Sequence, residues 1–355
     1  MSRSIGIAVL GAGIGKAHAL AIAGLPDHYR LLYVCDLDRA RAEEAASAVP
    51  GCKAVTDMAE VLADPEVEIA DICLPPRLHH AVTLKVLAAG KHAICEKPLA
   101  GSLREVDEII AAAEQAGRQV FPVFQYRYGA GYRGIHALKQ AGLLGKAYTL
   151  SIETHWQRGA AYYAPAWRGT WAGEMGGVIV SHACHAHNLA TFLMGDVQEV
   201  AAFLETRVNP IETEDCAAII LRLASGALAT SSVTVGAAGN SSCFRACFEH
   251  VTTTSGTHPY QIGAGPWTFE ATDPARQGEV DAVVAAAAEP PLRYAGQLVD
   301  IHARLRGLPD LYLPSLAEAR HSVELMTALY ASARGEGLVK LPLSADHPLY
   351  GGWQP

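Results

Sequence analysis

The sequence predicts an α/β protein: an N-terminal doubly wound parallel sheet, then a second α/β domain with a large, mostly antiparallel open sheet. Three observations lead there. Short apolar runs alternate with helical patterns over the first 125 residues, as in successive βαβ units. A glycine-rich turn, Gly11-Ala12-Gly13-Ile14-Gly15, links the first apolar run to the first helical pattern. Beyond Gln125 the runs lengthen and are joined by hairpin signals such as Ser225-Gly226. At 355 residues the chain has the length of two domains, expected at 1–125 and 126–355.

In the first region, strands are expected at 5–10, 31–35, 69–74, 92–95 and 120–124, each a continuous apolar run of the kind buried on both faces of a parallel sheet. Helices are expected near 16–24, 38–48, 57–62, 78–89 and 102–116. The last opens on Ser102-Leu103-Arg104-Glu105, a capping box, and stops at Gly117. In the second region a helix at 131–141 leads to a strand at 147–154. An aromatic and glycine-rich stretch (155–177) and a helix at 180–194 follow, then strands at 199–205, 216–223 and 227–235. The small, polar runs 236–242 and 252–265 read as loops. Helices at 292–306 and 315–334 precede a short apolar run at 339–343.

Composition excludes several classes. Half of the residues are hydrophobic and 18% charged, so wholesale disorder is not expected. Lys plus Arg is 28 against 36 Asp plus Glu, net −8, with no dense basic run. That argues against nucleic acid or an anionic membrane surface as partner. No apolar stretch is long enough to span a bilayer, and the first ten residues lack a signal-peptide pattern. A soluble, cytoplasmic protein is expected. The eight cysteines are scattered and form no C-x-x-C pair, which suits reduced, buried thiols rather than disulfides or a metal site.

Glycines at a strand-to-helix turn let backbone N–H groups approach a pyrophosphate. Gly11, Gly13, Ile14 and Gly15 are therefore cofactor-binding candidates, although the spacing is one residue short of G-x-G-x-x-G. Asp36 ends the second strand, where an acid binds an adenosine ribose hydroxyl and repels a 2′-phosphate, so NAD is expected over NADP. Asp36 as a simple helix cap is the alternative. The loop Leu74-Pro75 and His79 would pass beside the nicotinamide half of the cofactor; His79 and His80 also read as the start of a helix.

Cys95-Glu96-Lys97-Pro98 ends the fifth strand, at the edge where open α/β sheets bind ligands. With the glycine turn, with Gln125-Tyr126-Arg127-Tyr128 and with the Gly176-Gly177 pair, this segment resembles the Gfo/Idh/MocA oxidoreductase family, over nearly the whole chain. The resemblance implies an N-terminal Rossmann domain, a C-terminal substrate-binding and oligomerisation domain, and a nicotinamide cofactor between them. It places Lys97 near the reacting carbon and Glu96 by the nicotinamide, adds Gln125 to the cofactor set, and makes Tyr126 and Arg127 substrate candidates. The family's second motif, approximately G-G-x-x-x-D-x-x-x-H-x-x-D, falls on Gly176–Asn188. His185 matches the histidine, while Ser181 and Asn188 replace both acids. Residues 181, 185 and 188 would share one helix face, and His182 lies one turn before His185.

His182, His185 and His187 also invite a metal reading, but no carboxylate or cysteine partner stands at a suitable spacing, and no metal is expected. A helix of satisfied structural histidines is a further alternative. The stretch after residue 154 offers His155, Trp156 and Arg158 as substrate ligands, since aromatic faces pack on sugar C–H faces and Arg and His donate to hydroxyls. It reads equally as a loop over the sheet or a subunit contact. The function expected is an NAD-dependent dehydrogenase or reductase acting on a secondary alcohol of a sugar, sugar derivative or cyclitol, with Lys97 and His185 as the acid–base pair. The alternatives are a redox-neutral NAD-dependent glycosidase and a non-enzymatic cofactor-sensing protein. An open sheet face would be covered by a partner, so a homodimer or homotetramer is expected.

Overall fold

The computed structural model describes residues 4–260, 262, 267–287, 292–309 and 312–355. The chain forms two compact units, Met1–Gln125 with Arg293–Arg320, and Tyr126–Leu292 with His321–Pro355.

The first unit holds six strands: β1 (Ile5–Leu10), β2 (Tyr29–Cys35), β3 (Lys53–Val55), β4 (Ile69–Ile72), β5 (His92–Cys95) and β6 (Val120–Pro122). They form one sheet in the order β3-β2-β1-β4-β5-β6, with every pair parallel. This is the doubly wound order of dinucleotide-binding sheets, in which the chain reverses direction beside β1. β1, β4 and the last three residues of β5 are buried, as their unbroken apolar runs require. The capping box forms: Ser102 Oγ accepts the Glu105 N–H at 3.1 Å and Glu105 accepts the Gly101 N–H at 2.8 Å. Gly117 closes that helix at φ +59°. β3, three residues long, was not anticipated.

The segment Arg293–Arg320 interrupts the contiguous second region expected from sequence. Its helix Arg293–Leu305 puts Leu298 and Ile301 into the core formed with Ile7, Val9, Ile22 and Leu31. Gln297 accepts from Phe124 N at 3.1 Å and donates to Pro122 O at 2.7 Å. It thereby ties the helix to the end of β6.

The second unit is built on eight strands: β7 (Ala147–Gln157), β8 (Val197–Glu205), β9 (Cys216–Leu223), β10 (Leu228–Thr234), β11 (Gly236–Phe248), β12 (Val251–Thr254), β13 (Thr268–Ala271) and β14 (Val339–Lys340). Their order is β13-β12-β11-β7-β10-β9-β8-β14. Only the pair β7–β10 is parallel. Two segments read as loops are strands here: β11 begins at Gly236, and β12 covers part of 252–265. Their small, polar side chains lie on a sheet with one open face, where backbone pairing of β11 to β7 (Ser242 opposite Thr154) and of β12 to β11 replaces apolar burial as the stabilising term. Residues 261 and 263–265 of the second expected loop lie outside the described residues. Helix Gln277–Ala287, also unanticipated, packs on helix Ala130–Gln140.

On one sheet face Leu150, Ile152, Trp156, Ile219, Leu221 and Phe244 are buried. The opposite face carries Phe203 (78% exposed), Ile220 (61%) and Leu228 (48%) among Ala, Ser and Thr, with the Arg222–Glu199 ion pair beside Leu228. All eight cysteines are free thiols. Among the described residues no helix is long and apolar enough to cross a membrane.

Candidate active site

In the first unit the carboxyl ends of β1, β2, β4 and β5 bring most of the expected cofactor residues to one edge. Gly11 leaves β1 at φ +101°, and a Cβ there would stand 2.5 Å from the Cys73 carbonyl oxygen, so only glycine fits. A Cβ at Gly15 would meet Val9 Cγ1 at 2.6 Å, which lets the helix Gly15–Ala23 pack closely on β1. Asp36 Oδ2 accepts the Ala12 N–H at 2.7 Å, and Oδ1 accepts from Asp38 N at 2.9 Å. The cap of helix Arg39–Ala46 is Asp38, which accepts from Ala40 and Arg41. Asp36 thus grips the glycine turn. Ile14 is half exposed at the turn. A glycine turn with exposed backbone, held by an acid at the end of β2, fits a dinucleotide with a free ribose diol.

His79 is 1% exposed. Its Nε2 bonds the Leu74 carbonyl at 2.8 Å and its Nδ1 the Pro98 carbonyl at 2.6 Å. It therefore ties the loop after β4, with Pro75, to the loop after β5. Burial pushes its pKa down, against the two carbonyls.

Glu96 is buried, and sequence reasoning missed what holds it. Oε2 accepts the Lys97 N–H at 3.0 Å; Oε1 meets His18 Nε2 at 3.1 Å and accepts the Tyr294 O–H at 3.4 Å. His18 Nδ1 lies 2.8 Å from Asp71 Oδ2. Gln125, itself buried, donates to Tyr294 Oη at 2.9 Å. Burial opposes charge on His18, but Asp71 and Cys73 outweigh it and raise its pKa well above the ordinary value. An imidazolium between two carboxylates fixes Glu96 and, through it, the Lys97 peptide. Among the described residues His18, Asp71 and Cys73 are also the one grouping close enough to share a metal ion. Both His18 nitrogens, however, are already spent on carboxylates. Lys97 itself is half-buried.

In the second unit the histidine-bearing helix begins with a π-helical turn, Ile179–Ala183, and continues as Cys184–Met194. Such wide turns recur at functional sites. Glu214 holds its start, accepting N–H from Gly177 at 3.0 Å and Ile179 at 3.1 Å and the Tyr330 O–H at 2.9 Å. Burial pushes this carboxyl up to about 7 against those bonds. A Cβ on Gly177 would stand 1.8 Å from the Glu214 carbonyl oxygen, and one on Gly176 would stand 2.4 Å from Tyr330 Oη. The glycine pair is a packing requirement. Nothing local to the run 213–215 marks Glu214; only the fold brings it to Gly177.

The three histidines part company. His185 stacks on Tyr126, centroids 4.4 Å apart and planes 13° from parallel. His182 bonds Ser181 Oγ through Nδ1 and lies edge-on to Trp156 at 5.0 Å and tilted to Tyr162 at 5.8 Å. His187 Nε2 bonds Ser231 on β10 at 3.0 Å; burial takes its pKa down to about 4, leaving it neutral. Arg127 is 1% exposed, donates from Nε to Asn188 Oδ1 at 2.9 Å and lies 4.4 Å over Phe192. Ser181, within the π-turn, donates to Gly177 O at 2.7 Å, so it departs from the regular face expected with 185 and 188.

The aromatic stretch extends β7 to Gln157, and strand alternation separates two of its candidates. Trp156 faces the helices and donates to Ser242 at 2.9 Å. His155 points to the open face and bonds Ser232 at 2.9 Å, away from His182. Arg158 joins the Trp156 side, 5.3 Å from its ring and 5.0 Å from that of Tyr162.

Residues 5–124 match the family described as "Oxidoreductase family, NAD-binding Rossmann fold", and 132–257 match the "GFO/IDH/MocA C-terminal domain". An uncharacterised oxidoreductase of Synechocystis is 28% identical over 239 residues, 63% of this chain and 63% of the relative. The myo-inositol 2-dehydrogenase of Thermotoga maritima is 28% identical over 230 residues, 62% of this chain and 66% of the relative. The chain therefore spans less than two thirds of the length of these relatives. The WlbA dehydrogenase of Bordetella pertussis, solved with NADH and UDP-GlcNAcA, superposes with a TM-score of 0.84 at 26% identity, over 96% of this chain and all of that one.

Proposed function

The chain belongs to the Gfo/Idh/MocA oxidoreductase family, and from that premise we propose that it is an NAD-dependent dehydrogenase or reductase of a secondary alcohol on a sugar, sugar derivative or cyclitol. The observation that carries the reading lies within the first unit. The glycine turn gripped by Asp36 and the Glu96–Lys97 peptide fixed by His18 share the carboxyl edge of one parallel sheet. A dinucleotide held at that edge supplies the hydride acceptor. Gly11, Gly13, Gly15 and Asp36 would hold it, and Glu96 stands at the same edge. Lys97 polarises the reacting oxygen and His185 exchanges its proton, its ring oriented by the stack with Tyr126. The names of an inositol dehydrogenase and of a nucleotide-sugar dehydrogenase among the similar proteins support a polyol substrate class.

A second copy of this chain covers the open sheet face, where Phe203, Ile220 and Leu228 stand among small residues. Eight free cysteines suit a reducing compartment, the cytoplasm.

Inositols, glucose, xylose, anhydro sugars and glycosides, each supplied with NAD, test the reading through NADH absorbance. NADH formed in step with substrate loss supports it. Free sugar released from a glycoside without NADH replaces it with the redox-neutral glycosidase. No reaction in either direction across the panel removes it.

A further inference from the structure

We propose that the second unit holds an oxyanion subsite centred on Arg158, so that the preferred substrate is a sugar carrying a carboxylate or phosphoryl substituent. This rests on the dehydrogenase reading and deepens it.

An open cavity of about 770 Å³ is lined by Arg158, Tyr162, Asn209, Val208 and the turn Val235–Ala237. Its volume is in the range of pockets for ligands larger than one monosaccharide. The far wall is built. The buried Asp215 carboxylate accepts N–H from Arg207 at 2.7 Å, Val208 at 3.0 Å and Asn209 at 2.7 Å. Gly236 also packs so closely that a Cβ there would meet Val208 Cγ2 at 2.6 Å.

Arg158 is the one cation on this wall, and its position is fixed. Three rings, of Trp156, Tyr162 and Tyr260, lie 5.0–5.3 Å from its guanidinium carbon. Nη1 is spent on Gln157 O at 2.7 Å, Tyr260 Oη at 3.0 Å and Asn240 Oδ1 at 3.2 Å. Nε is enclosed and has no hydrogen-bond partner among the described residues. Nη2 makes none among them either. Nη2 is therefore the donor left to take a carboxylate or phosphate oxygen in a charge-assisted hydrogen bond. The contrast is Arg168, which also stacks on Tyr162 but meets Glu174 at 3.2 Å. No acidic side chain is among the described residues that line the cavity. A neutral hydroxyl would accept from Nη2 and leave the charge uncompensated; an oxyanion accepts and also compensates the charge. Tyr162, which lines the cavity and lies 5.8 Å from His182, joins the subsite to the histidine-bearing helix.

The test is calorimetric and kinetic, on the full chain with NAD present. Glucuronate, a hexose phosphate and UDP-glucuronate are compared with glucose and myo-inositol. At least one anionic ligand is expected to bind about 10-fold or more tighter than its neutral parent, the scale of a charge-assisted hydrogen bond. The carboxylate and phosphate arms identify the oxyanion. In Arg158→Gln that ratio falls towards one; in Arg158→Lys, which keeps the charge but loses the planar guanidinium held by the three rings, it falls part of the way. Equal binding of anionic and neutral sugars by the wild type, or a ratio unchanged in Arg158→Gln, overturns the subsite. If Arg158→Gln does not fold, the wild-type ratio and the lysine variant still decide. Turnover of neutral sugars with no anion preference leaves the dehydrogenase reading standing and removes only the subsite. Anion preference in calorimetry without NAD reduction by any sugar does the reverse.

Discussion

Glu214 accepts the Gly177 N–H at 3.0 Å while its own carbonyl oxygen would stand 1.8 Å from a Cβ at that glycine. One residue thus both caps the histidine-bearing helix and dictates the glycine before it. Because burial raises this carboxyl to about 7, the folded protein binds a proton that the unfolded chain releases near pH 4.5. Between those values this group holds more proton in the folded state, so its contribution to stability falls as pH rises from about 4.5 through 7 and is level above. The loss is on the order of 3 kcal/mol. Buried, neutral His187 contributes the opposite slope over much of that range, so the measurement is the difference between the wild type and Glu214→Gln. The wild-type melting temperature should drop relative to that of Glu214→Gln as pH rises; a difference independent of pH would show that the Glu214 carboxyl is not raised in the fold.

Asp36 holds the Ala12 N–H and presents its charge at the end of β2. NAD should exceed NADP in kcat/KM. Asp36→Asn keeps an acceptor for the turn but removes the charge, so it should narrow the preference with a smaller change in NAD affinity. Equal kcat/KM for the two cofactors in the wild type would take the discriminating role from Asp36.

Arg127 is expected from the sequence to touch substrate, yet its Nε is spent on Asn188 and its cation lies over Phe192 in the interior. Arg127→Lys loses the planar donor and should cost about 1–3 kcal/mol of stability. Chemical denaturation should register the loss more clearly than KM for the sugar does. A raised KM with unchanged stability would return Arg127 to the substrate.

The His182, His185 and His187 cluster predicts indifference to chelators. His187, neutral and bonded to Ser231 on β10, is turned into the core, while His182 and His185 contact different aromatic rings. Activity should survive dialysis against a chelator. Loss on chelation with recovery on adding zinc, abolished in His182→Ala but not in His18→Ala, would mean that the cluster rearranges around a metal.

How legible these features were follows from the range of the forces that fix them. The strands of the first unit are buried on both faces, so their apolar runs show in sequence; Lys53–Val55, three residues long, does not. In β11 the open face permits Gly236–Ser242 to be small and polar, and only its register with β7 makes it a strand. Helix Gln277–Ala287 buries one residue, Val280, and so carries almost no periodic signal. At the site, the glycine turn, Asp36 and Lys97 are local motifs. His18, which meets Asp71 and Glu96 across 53 and 78 residues, becomes visible only once the sheet aligns β4 and β5. His155 and Trp156 divide by strand alternation, a rule available in sequence once the strand is known to run past Thr154.

The chemistry should depend on Lys97 and His185 together. Lys97→Ala should leave NAD affinity largely intact, because in the proposed reading the glycine turn and Asp36 would hold the cofactor, while Glu96 stays fixed by His18 and Tyr294. It should lower kcat by about 10²–10⁴-fold, the scale of a positioned acid–base group. His185→Ala should cost a similar factor. The double variant should lose less than the product of the two, since residues acting as one unit are not additive. His185→Phe keeps the stack on Tyr126 without a titratable nitrogen, so it separates proton exchange from packing. If His185→Phe retains wild-type kcat, the ring serves only to pack. The proton then leaves by another group on the same helix, and His182, bonded to Ser181 and set against Trp156, is the next to substitute. Wild-type turnover in Lys97→Ala would overturn the pair altogether.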